Sequence, residues 1–180
     1  MRRLAFLIGS LLLLASSVVA DEPRYQNLFS SRNRLYEASR KDDGLWHILE
    51  KSTSKELYSF SDRFRDGVWF SSMTLVVGDD GKHLVIVNDY GENLGERAAI
   101  NNPEALFFFI DGKLTRSYKL LELIDRKFIL FSVSHFLWLT SPNKLEIEGS
   151  KIEFSTFERN HFVFDIESGE QISKHGSTTS

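Results

Sequence analysis

The chain has 180 residues, a formal charge of −3, fifteen phenylalanines and no cysteine. Without thiols it has no disulfides, thiolate zinc sites, iron–sulfur clusters or cysteine nucleophiles, so its stability must come from an aromatic-rich core. Mild acidity without a dense basic cluster argues against nucleic acid or an anionic membrane surface as partner.

Residues 1–20 read as a signal peptide. Arg2 and Arg3 precede an apolar run from Leu4 to Leu14, and Val18-Val19-Ala20 fits a small-x-small cleavage position. The run falls short of the ~20 residues that span a bilayer. Cleavage after Ala20 is therefore expected, leaving no stable membrane anchor and a periplasmic or secreted protein. Loss of the two arginines takes the formal charge from −3 to −5.

Residues 21–172 read as a single β-rich domain. Asn33 to Ala38 is a weak strand or a helix end, and Lys41-Asp42-Asp43-Gly44 is a turn. Leu45 to Leu49 and Glu56 to Phe60 are strands around the polar turn Ser52 to Lys55. Val68 to Val77 and His83 to Val87 flank the turn Gly78-Asp79-Asp80-Gly81-Lys82. A long polar loop, 88–103, leads to Ala105 to Ile110, the turn Asp111-Gly112-Lys113 and a return at Leu114 to Tyr118.

Leu120, Leu121, Leu123 and Ile124 change the period and predict one short helix near 118–125. Strands resume at Ser134 to Leu139, Lys144 to Glu148, Lys151 to Phe157 and His161 to Ile166, with a last short one at Gln171-Ile172. The alternation in Leu145-Glu146-Ile147-Glu148 and Ile152-Glu153-Phe154-Ser155 predicts antiparallel sheets with one wet face. Residues 173–180 have no apolar side chain and are expected to be a disordered tail.

An apolar strand, a glycine turn and a returning strand recur around Gly81, Gly112 and Gly169. Asp79-Asp80-Gly81-Lys82-His83-Leu84-Val85 resembles the turn-and-strand element of bacterial β-propellers of the translocation-protein and WD-repeat type. Phe164-Asp165-Ile166-Glu167-Ser168-Gly169-Glu170 is similar to the strand ends of quinoprotein-like blades. Leu45 to Leu121 resembles a loose group of small exported bacterial proteins of unassigned activity. Its shared features are Leu45-Trp46, Asp80-Gly81-Lys82, the 88–103 loop, Asp111-Gly112-Lys113 and Tyr118 to Leu123. The resemblance implies propeller-like repeats. Residues 21–180 are too few for the four to eight blades that close a propeller. The expected fold is mainly β: antiparallel hairpins in an open propeller-like sheet stack or a small β-sandwich.

The candidate chemistry is sparse. His47, His83, His135, His161 and His175 show no metal-ligand spacing, and Asp89 to Glu96 fails the EF-hand pattern because Gly91 and Leu94 occupy ligand and glycine positions. No metal or cofactor is expected. There is no Gly-x-Ser-x-Gly, and Ser134-His135 are adjacent strand residues pointing to opposite faces. Gly78 to Lys82 lacks phosphate-loop spacing, and its two aspartates would repel phosphate. Glu146 and Glu148 read as a wet strand face, and Phe107-Phe108-Phe109 and Trp138 as core.

The 88–103 loop is longer than the fold requires. Asp89, Tyr90, Glu92 and Asn93 are its candidate ligand-binding residues. The function expected is that of an exported, non-catalytic binding or interaction protein of the bacterial envelope, with a protein or small-molecule partner. The alternatives are an envelope glycan or peptide hydrolase with its site on this loop, and a lipocalin-like carrier.

Overall fold

The computed structural model describes residues 28–61, 73–88, 102–131, 136–141, 145 and 147–176. Three four-stranded antiparallel sheets follow one another in chain order. The first holds β1 (Leu28–Ser30), β2 (Tyr36–Arg40), β3 (Leu45–Glu50) and β4 (Lys55–Ser61). The second holds β5 (Thr74–Val77), β6 (His83–Val87), β7 (Glu104–Ile110) and β8 (Lys113–Lys119). A two-stranded pair, β9 (Leu130–Phe131) with β10 (Phe136–Leu137), precedes the third sheet. That sheet holds β11 (Ile147–Glu148), β12 (Lys151–Ser155), β13 (Asn160–Asp165) and β14 (Gln171–Gly176).

Each four-stranded sheet is an up-and-down meander, the topology of a propeller blade. The expected mainly β fold of antiparallel hairpins, with one short helix, is the fold observed.

Stacking explains the uneven hydrophobic pattern. Successive strand residues face opposite sides of a sheet. On one side of the second sheet Leu75, Val77, Leu84, Ile86, Phe107 and Phe109 pack with Ala38, Trp46, Ile48 and Phe60 of the first. On its other side Val76, Val85, Val87, Leu106 and Phe108 pack with Ile147, Ile152, Phe154, Phe162 and Phe164 of the third. The inner strands of a sheet covered on both faces need apolar residues at nearly every position. That is why β6 and β7 read as unbroken apolar runs, whereas β12 and β13 alternate. Each aliphatic or aromatic side chain buried in these layers is worth about 1.5–3 kcal/mol.

The third and fourth strands of each four-stranded sheet share a register shift: at Ile48/Leu49, Phe108/Phe109 and Val163/Phe164. Such bulges twist an edge strand and spoil it as a template for further pairing.

Several expectations change. The helix is shorter than 118–125: α1 spans Leu120–Leu123, because both Lys119 and Ile124 are extended. The Glu122 carboxylate accepts the Lys119 backbone N–H at 2.6 Å, and Leu120 and Leu123 are buried. Arg126–Phe128 forms a 3-10 turn capped by the Asp125 carboxylate, and β1 is a strand that the pattern did not announce.

The tail expected to be disordered from residue 173 is paired to Gly176. Backbone pairing with β13 needs no apolar side chain, and Lys174 lies over the Phe162 ring at 5.1 Å. The signal peptide, the start of the Val68 strand, Ser134, His135, Lys144, Glu146 and residues 177–180 lie outside the described residues.

Candidate functional site at the turn end of the sheets

The turn Gly78 to Lys82 is built by its own acids and glycines. The Gly78 amide donates to the His83 carbonyl at 2.8 Å, and the Gly81 amide to the Gly78 carbonyl at 3.0 Å. One Asp80 oxygen accepts the Lys82 and His83 amides at 2.9 and 3.1 Å; the other lies 2.5 Å from His83 Nδ1. Burial pushes the Asp80 carboxyl upward. The His83 and Lys82 amides and the His83 ring outweigh it, and the group sits below its ordinary value.

Turns from the other sheets converge here. In the first sheet's β1–β2 turn, the Asn33 amide donates to Asp79 Oδ1 at 2.7 Å and its side-chain nitrogen to the Asp79 carbonyl at 2.8 Å. Arg32 reaches Glu148 in the third sheet at 3.0 Å, an exposed pair worth at most about 1 kcal/mol. Tyr58 of β4 donates to the Lys82 carbonyl at 3.0 Å. Burial, then the nearby Asp111 and Asp80, drives its phenol far above the usual range.

An open hollow of about 330 Å³ lies among Asp79, Asp80, His83, Ser150 and Glu167, with Gly149 and Ile166 completing its wall. The Asp165 carboxyl nearby is held below its ordinary value, chiefly by the Ser168 amide. The surface is acidic and suits a partner that brings hydrogen-bond donors or positive charge. Among the described residues no group of three His, Asp or Glu is placed to hold a metal ion.

The residues singled out from the sequence lie elsewhere. Asp89, Tyr90, Glu92 and Asn93 fall outside the described residues. The two ends of their loop are described, at the far end of β6 from the hollow, roughly 17 Å along five strand residues. Asn88 donates its amide to the Ala105 carbonyl at 2.9 Å and gives its carbonyl to Trp138 Nε1 at 2.8 Å. At the other end Asn102 and Pro103 accept the Leu121 and Leu120 amides of α1. Trp138 is fully buried, its ring 5.6 Å from Phe154. Trp138→Phe strands a buried carbonyl and is expected to cost about 2–3 kcal/mol in urea unfolding. A loss under about 0.5 kcal/mol would mean that the indole bond does not hold the loop base.

Sequence reasoning missed two side-chain groups. On the outward face of the third sheet, Ser155 Oγ lies 3.2 Å from His161 Nδ1, and Glu153 lies 3.3 Å from His161 Nε2. Glu153 and Ser155 share a face by alternation, and His161 is the direct partner of Ser155 across the hairpin. In the first sheet, His47 stands between Asp43 and Glu56. Alternation plus hairpin register could have indicated both. The hollow offered no such signal, since Asp80 and Ser150 are distant in sequence and meet only through sheet stacking.

No family model and no curated protein sequence matches the chain. Among solved structures, the chain is similar to the β-propeller domain of Cps50 (Swd1) from Myceliophteria thermophila, with 11% identity and a TM-score of 0.40. The match covers 84% of this chain and 42% of that one, so the chain spans less than half of that structure's length.

Proposed function

We propose that the chain is an exported, non-catalytic interaction module of the bacterial envelope, using its turn end to recognise a protein partner. The supporting observation is an acidic hollow between turns of the second and third sheets, with the first sheet's Asn33 bonded to Asp79 at its side and His83 already engaged by Asp80. Export rests on residues 1–20, and the reading needs no cofactor.

The test is a pull-down from envelope extract with the mature chain, beside the same chain carrying Asp79→Lys and Glu167→Lys. A reproducible partner lost with the double substitution is the expected result. No partner, together with hydrolysis of a glycan or peptide panel, reverses the reading.

The hydrolase alternative has one observation in its favour, the Ser155–His161–Glu153 arrangement, which follows the order of nucleophile, base and carboxylate. It lies across an outer strand face, with the histidine and glutamate side chains 42% and 54% exposed. A fluorophosphonate probe is expected to leave Ser155 unlabelled. Labelling that disappears in His161→Gln would sink the non-catalytic reading.

A further inference from the structure

We propose that His47 is a proton-operated latch on the first sheet. With both ring nitrogens protonated it ties the β2–β3 turn to the edge strand β4, and loss of one proton frees the start of β4. The inference is independent of the interaction reading above.

His47 is buried, 6% exposed, yet lies on the face of its sheet turned away from the core. Its Nδ1 is 2.9 Å from a Glu56 oxygen, and its Nε2 is 3.0 and 3.2 Å from the two Asp43 oxygens. An ionised carboxylate only accepts hydrogen bonds. Each contact is therefore a bond only while that ring nitrogen carries hydrogen, and the imidazolium alone satisfies both. The neutral ring must turn a lone pair toward one carboxylate.

The two sides are unequal. Asp43 also accepts the Leu45 amide at 2.9 Å and stays in place without His47. The other partner of Glu56 is Lys41, at a longer 3.5 Å. The strand neighbours facing His47, Ser39 on β2 and Ser59 on β4, carry no charge. Proton loss therefore releases Glu56.

Glu56 pairs with Leu49 beside the bulge at Ile48/Leu49, where the ladder is interrupted. The next two residues carry the contact with the second sheet. Leu57 packs beside Gly81, and Tyr58 bonds the Lys82 carbonyl. Loosening there reaches the turns of the second sheet.

The signs follow from linkage. The Asp43 carboxyl is held below 3.8 by the Leu45 amide first and then His47, and the Glu56 carboxyl below 4.5 by His47. Their contribution is present above those ordinary values and is lost as pH falls through the lowered ones. Loss of the proton from either His47 ring nitrogen removes one of the two bonds, so the histidine side of the latch opens toward base.

The test is amide hydrogen exchange at residues 55–58 of the mature chain from pH 5.5 to 8, corrected for intrinsic rate, with residues 106–108 of β7 as the internal control. Protection of 55–58 should fall about ten-fold across the range while β7 holds. The fall should vanish in His47→Gln and in Glu56→Gln, whose amide accommodates a neutral ring. Unchanged protection in the natural chain, or a fall that persists in Glu56→Gln, overturns the latch. If His47→Gln does not fold, Glu56→Gln decides, with ¹⁵N spectra of the His47 ring counting its protons at both ends of the range.

Discussion

Phe164→Ala should lower the unfolding free energy by about 3–5 kcal/mol, the range for truncating a fully buried aromatic residue. Phe164 is 0% exposed. Its ring centre lies 5.6 Å from Phe108 and 5.0 Å from Tyr118 of the second sheet, and 5.5 and 6.0 Å from Phe154 and Phe162 of its own. Alanine removes ring contacts to two sheets at once and leaves a void between the layers. Phe164→Leu keeps most of the volume and should cost under about 2 kcal/mol. Urea unfolding of the mature chain measures both. A loss below about 1.5 kcal/mol for the alanine variant would show that the second and third sheets do not depend on this contact.

Gly81→Ala is the second large effect, and it separates two roles that one glycine can play. Gly81 has φ +69°, where a side chain costs about 1–2 kcal/mol. A Cβ there would also lie 2.5 and 2.7 Å from the Tyr36 ring and 2.9 Å from Leu57 Cδ1. Those distances force a shift in the packing of the first sheet, worth about 1–3 kcal/mol more. The total expected is about 2–5 kcal/mol.

Gly44 and Gly149 provide the control. They have φ of +78° and +60° with nothing within 4 Å of a Cβ. Gly44→Ala and Gly149→Ala should register the backbone cost alone. Equal losses for all three would mean that close approach of the sheets contributes nothing. Tyr36→Leu combined with Gly81→Ala should recover part of the loss, since the ring is what the methyl group meets.

The glycine repeat is thus more than turn chemistry. Gly112, at φ +74°, would bring a Cβ to 2.9 Å from Tyr58 of the first sheet. Gly169, at φ +68°, would bring one to 2.9 Å from Arg116 of the second. Each recurring glycine faces the sheet before it. A tyrosine tie recurs beside it: Tyr58 donates to the Lys82 carbonyl, and Tyr118 donates to the Gly169 carbonyl at 2.8 Å. The echo at 81, 112 and 169 marks where one sheet docks on the next. Its irregular spacing follows from connections of unequal length.

The strand-and-turn order, the antiparallel hairpins and the wet alternation of β12 were legible in the sequence, because a period of two and turn residues are local properties. So was the burial of Phe107 to Phe109 and Trp138. The helix limits and the pairing of β14 were not, since both depend on backbone partners supplied from elsewhere in the chain. The candidate site was legible only in part. The sequence showed Asp79 and Asp80 in a turn and His83 opening the return strand, and the structure has them so. It held no mark of Asn33, Glu148, Ser150 or Glu167 beside them. Only the stacking of three sheets, driven by apolar residues on both faces of the middle one, brings those side chains to one end of the molecule. Local chemistry made the turns, and burial between sheets decided which of them meet.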